Sequence, residues 1–172
     1  MKRVVSISLG SSRRNHKAEV DFNGIKFSVE RIGTNGDMEK MIALIGELDG
    51  QVDAFGLGGI DLYIGTPAHR YTLRDGKKIV QAAKKTPIVD GGGLKNTLER
   101  MTVQYLAKDL GWDLQGKNVL LISAMDRWGM AETLAEVGCN LEIGDFIFAL
   151  GIPFPLRKLR TLDLVARVIA PL

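Results

Sequence analysis

One cysteine and two histidines in 172 residues leave little material for a disulfide or a soft-metal site. Cys139 has no second thiol to pair with, and together with His16 and His69 it cannot assemble a zinc-type ligand set. The chemistry expected is metal-free or uses a loosely held cation. An excess of charge of one sign is also missing over most of the chain. The formal net charge is +3, and Arg157, Lys158, Arg160 and Arg167 against Asp163 account for all of it, so the first 154 residues balance. A neutral body lacks the broad positive field that a phosphate backbone needs, which disfavours nucleic acid as a partner and leaves small anions open. Long hydrophobic runs are absent too. The longest, Phe146 to Leu156, is broken by Gly151, Pro153 and Pro155, so no integral membrane segment is expected. The apolar stretch Val4 to Leu9 is too short for a signal peptide, and the expected location is cytoplasmic.

What is present is an ordinary globular composition, 45% apolar and 25% charged, with 20 glycines. Glycine is well above its average share, so some of the backbone must turn tightly or approach something closely. The length suits one α/β domain over residues 1–154 followed by a basic amphipathic helix over 155–172.

Residues 4–9 (VVSISL) read as a strand, and AEVDF-NG-IKFSVERI as a β-hairpin turning at Asn23-Gly24. Asp37 precedes a helix with Met38, Met41, Ile42, Leu44, Ile45 and Leu48 at helical spacing, ending at Asp49-Gly50. The strand VDAFGL follows. Residues 61–74 read as a second hairpin or a long loop around Thr66-Pro67, ahead of a helix over about 75–85 and a short strand at 87–89. Asn96 and Glu99 have capping-box spacing for a helix that stops at Gly111. NVLLISA, 118–124, has the continuous apolar character of a strand buried on both faces, and with a helix near 129–138 and the strand LEIGD it makes a β-α-β unit. The fold class is α/β, a layered fold with a mostly parallel sheet, a Rossmann-like second half including 117–145, and β-hairpins near the N-terminus.

Four segments carry candidate chemistry. Ser11, Ser12, Arg13 and Arg14, followed by His16 and Lys17, offer hydroxyls and guanidiniums that would hold a phosphate or carboxylate, or form only a solvated connection. Gly56-Leu57-Gly58-Gly59 precedes β-like residues and no helix, which fits a bulge or tight packing better than a nucleotide loop. In Asp90-Gly91-Gly92-Gly93-Leu94-Lys95-Asn96-Thr97, Asp90 and Lys95 supply both charges needed for proton transfer, and Asn96 and Thr97 are candidate substrate contacts; a plain turn and cap explains the same letters. Around the β-α-β turn, Ser123, Asp126, Arg127 and Gly129 are candidate cofactor contacts, although the dinucleotide glycine positions are filled by Ser123, Met125 and Trp128. Asp145 follows at a spacing suited to a ribose-binding acid.

From Val89 to Asp145 the chain resembles the shikimate and quinate dehydrogenase family, through Asp90-Gly91-Gly92-Gly93 and Gly116-Lys117-Asn118-Val119. The whole chain also resembles bacterial proteins grouped as quinate 5-dehydrogenases, with SISLGSSRRNHK and VDGGGLKNTLER as the recognisable segments. That group is longer, so a further C-terminal portion is expected. The resemblance implies an NAD- or NADP-dependent oxidation of a hydroxylated ring acid, with Asp90 as the aspartate of a Lys-Asp pair. YTLRDGKK supplies Lys77 or Lys78 for the lysine, without the proline of the family segment.

Two functions compete. One is an NAD(P)-dependent dehydrogenase of quinate or shikimate type; the other is a non-catalytic module for a small phosphorylated or carboxylated ligand. The tail places Leu156, Leu159, Leu162, Val165 and Ile169 along one helical face, suited to docking on its own domain or to a homo-oligomer formed through the C-terminal helix.

Overall fold

The computed structural model describes residues 1–66 and 69–169. In chain order the elements are β1 (Lys2–Ser8), a 3-10 turn (Ser12–Arg14), β2 (His16–Phe22), β3 (Ile25–Gly33), α1 (Met38–Leu48), β4 (Ala54–Gly58), β5 (Tyr63–Gly65), β6 (Arg70–Thr72), α2 (Arg74–Ala82), β7 (Ile88–Val89), α3 (Gly92–Lys108), β8 (Asn118–Leu121), α4 (Trp128–Glu136), β9 (Asn140–Ile143), α5 (Asp145–Leu150) and α6 (Leu159–Ile169). This is a mixed α/β fold with a mostly parallel main sheet. The chain divides into two compact units, residues 1–63 with 72–91 and residues 64–71 with 92–172. The expected single domain over 1–154 is replaced by this division, because Leu162 and Ala166 of α6 are buried in the core of the second unit and the helix belongs to it.

The first unit is built on a five-stranded sheet of order β2-β3-β1-β4-β7, parallel except for β2. The hairpin expected at Asn23-Gly24 is there: both residues have positive φ, 51° and 76°, the geometry of a two-residue turn whose twist matches its strands. Val5 and Ile7 of β1 and Phe55 and Leu57 of β4 point to one face and form a core with Met41 and Ile45 of α1 and Ile79 of α2. Asp37 caps α1 by accepting the Lys40 N–H at 2.9 Å. At its far end Asp49 accepts the main-chain N–H groups of Lys84, Lys85 and Thr86 at 2.8–3.1 Å, tying α1 to the segment that enters β7.

The second unit holds the β-α-β unit β8-α4-β9, with the strands parallel and in register from Asn118–Asn140 to Leu121–Ile143. Its core joins Leu121, Leu141 and Ile143 to Trp128, Ala131 and Leu134 of α4, Val103 of α3, and Leu162 and Ala166 of α6. Three expectations are corrected here. The strand expected over 118–124 ends at Leu121 and is covered on one face only, since Leu120 and Ile122 are 56% and 59% exposed. The sheet has just two strands, and the layer that would cover a second face is not formed by the described residues. The helix expected to start at Asn96 starts at Gly92. Asn96 lies inside it, its amide donating to the Gly92 carbonyl, and is no cap. The Lys95–Asp126 ion pair ties this first turn to the β8-α4 turn, against the poor helix propensity of Gly92 and Gly93. The C-terminal helix runs from Leu159 and not from 155. The turn expected at Pro67 and the tail beyond 169 lie outside the described residues. β5 and β6 pair as a small two-stranded sheet.

Partial desolvation pushes the Asp49 carboxyl up, but the N–H groups of Lys84, Thr86 and Lys85 outweigh it and hold Asp49 down at about 2. A carboxyl depressed on folding stabilises the fold above its unfolded value, 3.8, and ceases to do so as pH falls through about 2. Asp49→Asn is expected to lower Tm by about 2–4 °C at neutral pH. Thermal melts across an acid pH series should show the wild-type advantage shrinking below pH 3.8 and vanishing near pH 2.

Candidate functional site

In an open parallel sheet, ligands settle where neighbouring strands send their connections to opposite sides. In the first unit that place lies between the carboxyl ends of β1 and β4. The chain leaves β1 for β2 and β3 on one side, and leaves β4 for β7 on the other. The loop after β1 is Leu9 to Asn15, and Gly58-Gly59 close β4.

That loop is held by a dense set of hydrogen bonds. The Leu9 N–H donates to Gly58 at 2.9 Å, the Asn35 N–H to Gly10 at 3.1 Å and the Gly36 N–H to Leu9 at 2.6 Å. Asn35 exchanges two bonds with Ser12, accepting its N–H at 2.7 Å and donating to its hydroxyl at 3.0 Å. The Ser11 hydroxyl accepts the Arg13 N–H at 3.2 Å and caps the 3-10 turn. Asn15 accepts the Gly33 N–H at 2.6 Å. Gly33 is required: a Cβ there would stand 2.5 Å from the Ser11 carbonyl oxygen.

The charged part of the site comes from Arg14 and Arg31. Arg31, near the end of β3, donates to the Ser8 hydroxyl at 3.0 Å and to the Ser11 carbonyl at 3.1 Å. The Ser8 hydroxyl also accepts the Gly10 N–H at 3.1 Å. Both guanidiniums converge on Gly10, where a Cβ would meet Nη2 of Arg14 at 2.6 Å and Nη2 of Arg31 at 2.9 Å. Among the described residues no carboxylate pairs with either arginine. Two guanidiniums drawn together with donors still to spare have the chemistry that pairs with a carboxylate or phosphate.

Of the residues named from the sequence, Ser11, Ser12, Arg13 and Arg14 are brought to this edge. Arg31 was missed. The signal was available: Ile25, Phe27 and Val29 alternate as one apolar face of β3, and Arg31 interrupts that alternation at the next position. Asp90 ends β7 on the same edge of the same sheet and accepts the Leu62 N–H at 2.7 Å. Lys77 is exposed on α2.

The other candidates belong to the second unit, where each is engaged in its internal packing. Lys95 pairs with Asp126 at 2.5 Å, Arg127 pairs with Glu99, and Arg100 pairs with Glu132 at 2.5 Å, so α3 is clamped to the β8-α4 turn and to α4. Thr97 donates to the Gly93 carbonyl within α3. Gly129 lets the two helices touch, since its Cβ would stand 3.2 Å from Cα and the carbonyl oxygen of Asn96. Asp145 is 7% exposed and turns inward, accepting the N–H groups of Ala124 at 2.7 Å and Met125 at 3.0 Å, with the Ser123 hydroxyl at 3.5 Å. These are the amides that a pyrophosphate would take in a dinucleotide fold. Ser123, Asp126, Arg127, Gly129 and Asp145 therefore do not fit NAD or NADP as they stand: a protein carboxylate holds the anion position, and α3 abuts the start of α4. The Cys139 thiol, pushed up by burial, donates to the Leu114 carbonyl. Among the described residues no group of acids, histidines and cysteine is placed to hold a metal, and no helix is long and apolar enough to cross a membrane.

Fold and site together define an α/β protein with two arginines converging at the carboxyl edge of its N-terminal parallel sheet. Residues 3–90, just over half of the chain, match the family described as Domain of unknown function (DUF8753), and the chain belongs to that family. Residues 93–172 match a second model, Domain of unknown function (DUF8754). The two matches meet at residues 90–93, where the chain passes from the first unit to the second, although residues 64–71 of the second unit fall within the first match. No curated protein matches the chain. Among solved structures it is similar to the bifunctional enzyme FolD, a methylenetetrahydrofolate dehydrogenase/cyclohydrolase from Campylobacter jejuni, at 20% identity and a TM-score of 0.34 over 82% of this chain. The chain spans only 55% of that enzyme's length, and a likeness at this level carries no functional argument.

Gly33→Ala should test how tightly the loop is built. The three atoms it would strike, the carbonyl oxygens of Ser11 and Gly10 and the carbonyl carbon of Ser11, are all backbone, so a destabilisation of about 1–3 kcal/mol is expected from urea unfolding midpoints.

Proposed function

We propose that the first unit binds a small molecule bearing a carboxylate or phosphate at the carboxyl edge of its sheet. The observation that carries this is the convergence of Arg14 and Arg31 on Gly10 with no carboxylate among the described residues to answer them. Arg31 is oriented by Ser8 and Ser11, Arg14 is exposed, and the hydroxyls of Ser11 and Ser12 each keep a proton to donate.

A second reading, the chemistry of a hydroxylated ring acid of quinate or shikimate type, is supported by Asp90. Its carboxylate stands on the same edge as the arginines, two strand spacings from β1, or about 10 Å. A ring acid held by its carboxylate at the arginines would extend its hydroxyls toward Asp90, the residue that the family resemblance makes the partner of a ring hydroxyl. Lys77 is the lysine of the same unit. In this reading NAD or NADP does not sit on residues 123–145 as arranged here, and no step is drawn through either. The proposal keeps a free small anion as partner and the cytoplasm as the place of action.

Calorimetric titration of the full chain with shikimate, quinate and inorganic phosphate tests both readings. Saturable binding of at least one is expected, and Arg14→Ala should weaken it roughly tenfold, the worth of a hydrogen bond to a charged group. Arg14 has no internal partner among the described residues, so its removal leaves the loop intact. Asp90→Asn should weaken the ring acids and leave phosphate unchanged if the second reading holds. Absence of binding by all three would refute the proposal.

A further inference from the structure

β2 is an edge strand of the five-stranded sheet, with β3 on one side and, among the described residues, no strand on the other. Edge strands are normally protected by proline, by a bulge, by shortness or by charged side chains. Of these β2 has only the charges, Lys17, Glu19 and Asp21: its seven residues pair with β3 without interruption from His16–Arg31 to Phe22–Ile25.

The direction of its main-chain groups follows from the turn. In the two-residue hairpin loop Asn23-Gly24 the Phe22 carbonyl accepts the Ile25 N–H, so Phe22, and with it Val20, Ala18 and His16, address β3. The N–H and C=O groups of Lys17, Glu19 and Asp21 point outward. Nothing among the described residues pairs with them, and the side chains of Lys17 and Glu19 have no ion-pair partner there either. Both residues are exposed.

We infer that this edge pairs with the same edge of a second copy of the chain, antiparallel about a two-fold axis through Ala18. Closed two-fold symmetry requires antiparallel pairing of a strand with itself. Outward-pointing residues must then face outward-pointing residues, which restricts the axis to a residue position. An axis at Lys17 sets Lys17 against Lys17. One at Glu19 sets Glu19 against Glu19, and one at Val20 sets Glu19 against Asp21. The axis at Glu19 also sets Lys17 against Asp21 but keeps the Glu19–Glu19 pair; only the axis at Ala18 brings opposite charges together with no like pair, and it does so twice, with Lys17 of each copy opposite Glu19 of the other. Those are also the residues whose main-chain groups are outward, so each pair exchanges two N–H···O bonds. Ala18 meets Ala18 in the close, non-hydrogen-bonded position, where a small side chain fits. The result is a sheet continuous across two copies, and the occupant of the edge is selected by charge register.

Sedimentation equilibrium of the full chain tests this, with circular dichroism to verify folding. The wild type is expected to dimerise reversibly with concentration. Glu19→Lys places lysines opposite one another at both pairs and should weaken the dimer about tenfold or more. Lys17→Glu makes the corresponding clash between glutamates and should do the same. The double variant Lys17→Glu/Glu19→Lys swaps the charges and should restore dimerisation to within about twofold of wild type. A chain monomeric at the highest concentration reached would overturn the inference and leave the edge to solvent or to a foreign strand. A dimer indifferent to Glu19→Lys, or one the double variant fails to restore, would overturn it as well.

Discussion

The guanidinium of Arg31 does two jobs at the end of the parallel sheet. Its bonds to the Ser8 hydroxyl and the Ser11 carbonyl fasten the loop after β1 to the strands beneath it. They also fix the orientation of a cation that has no carboxylate partner among the described residues. With Arg14 brought over the same glycine, the unit concentrates positive charge where an α/β sheet ordinarily receives its ligand. Gly33 and Gly10 make room for this arrangement, because at both positions a side-chain carbon would occupy space taken by the loop or the guanidiniums. Asn35 and Asn15 complete it by satisfying groups that a turn this tight leaves unpaired.

The second unit uses charge in the opposite sense. Its acidic and basic residues near the β8-α4 turn answer one another, helix to helix and carboxylate to amide, so the segment is closed upon itself. One consequence is that α3 directs Glu99 and Arg100 toward α4 while Leu94, Leu98, Met101 and Tyr105 remain exposed. Ion pairs, with Val103 as the buried apolar contact, set the orientation of this helix. Dinucleotide chemistry needs the turn's amides free and its helix start uncovered, and neither condition holds here.

The elements that were legible in the sequence are those dictated locally. Asn-Gly between two alternating runs specifies a hairpin because both turn residues must adopt positive φ, and Asp37 ahead of a helical apolar stripe specifies α1 and its cap. Interpretation failed where local signals were ambiguous. The run NVLLISA has the letters of a doubly covered strand, yet only one layer packs on it. Asn96 and Glu99 have the spacing of a capping box, but the helix extends four residues upstream, and the Lys95–Asp126 pair ties that added turn to the β8-α4 turn. Arg31 breaks the apolar alternation of β3, which marks it locally, but its partners Ser8 and Ser11 lie on another strand and loop and are set only by strand order.

The residue pattern alone therefore determined the α/β class, the hairpin, α1 and the polarity of the loop after β1, all consequences of backbone preference and periodicity over a few neighbouring residues. Which charges stand alone was decided only in three dimensions. Lys95, Asp126, Arg127 and Asp145 lie in sequence where a ligand site would have them, and Arg14 and Arg31 are separated by the hairpin. Strand order brings the last two together over Gly10, and helix packing pairs the others with partners about twenty to thirty residues away. Electrostatic interaction depends on distance through space, and distance along the chain does not encode it.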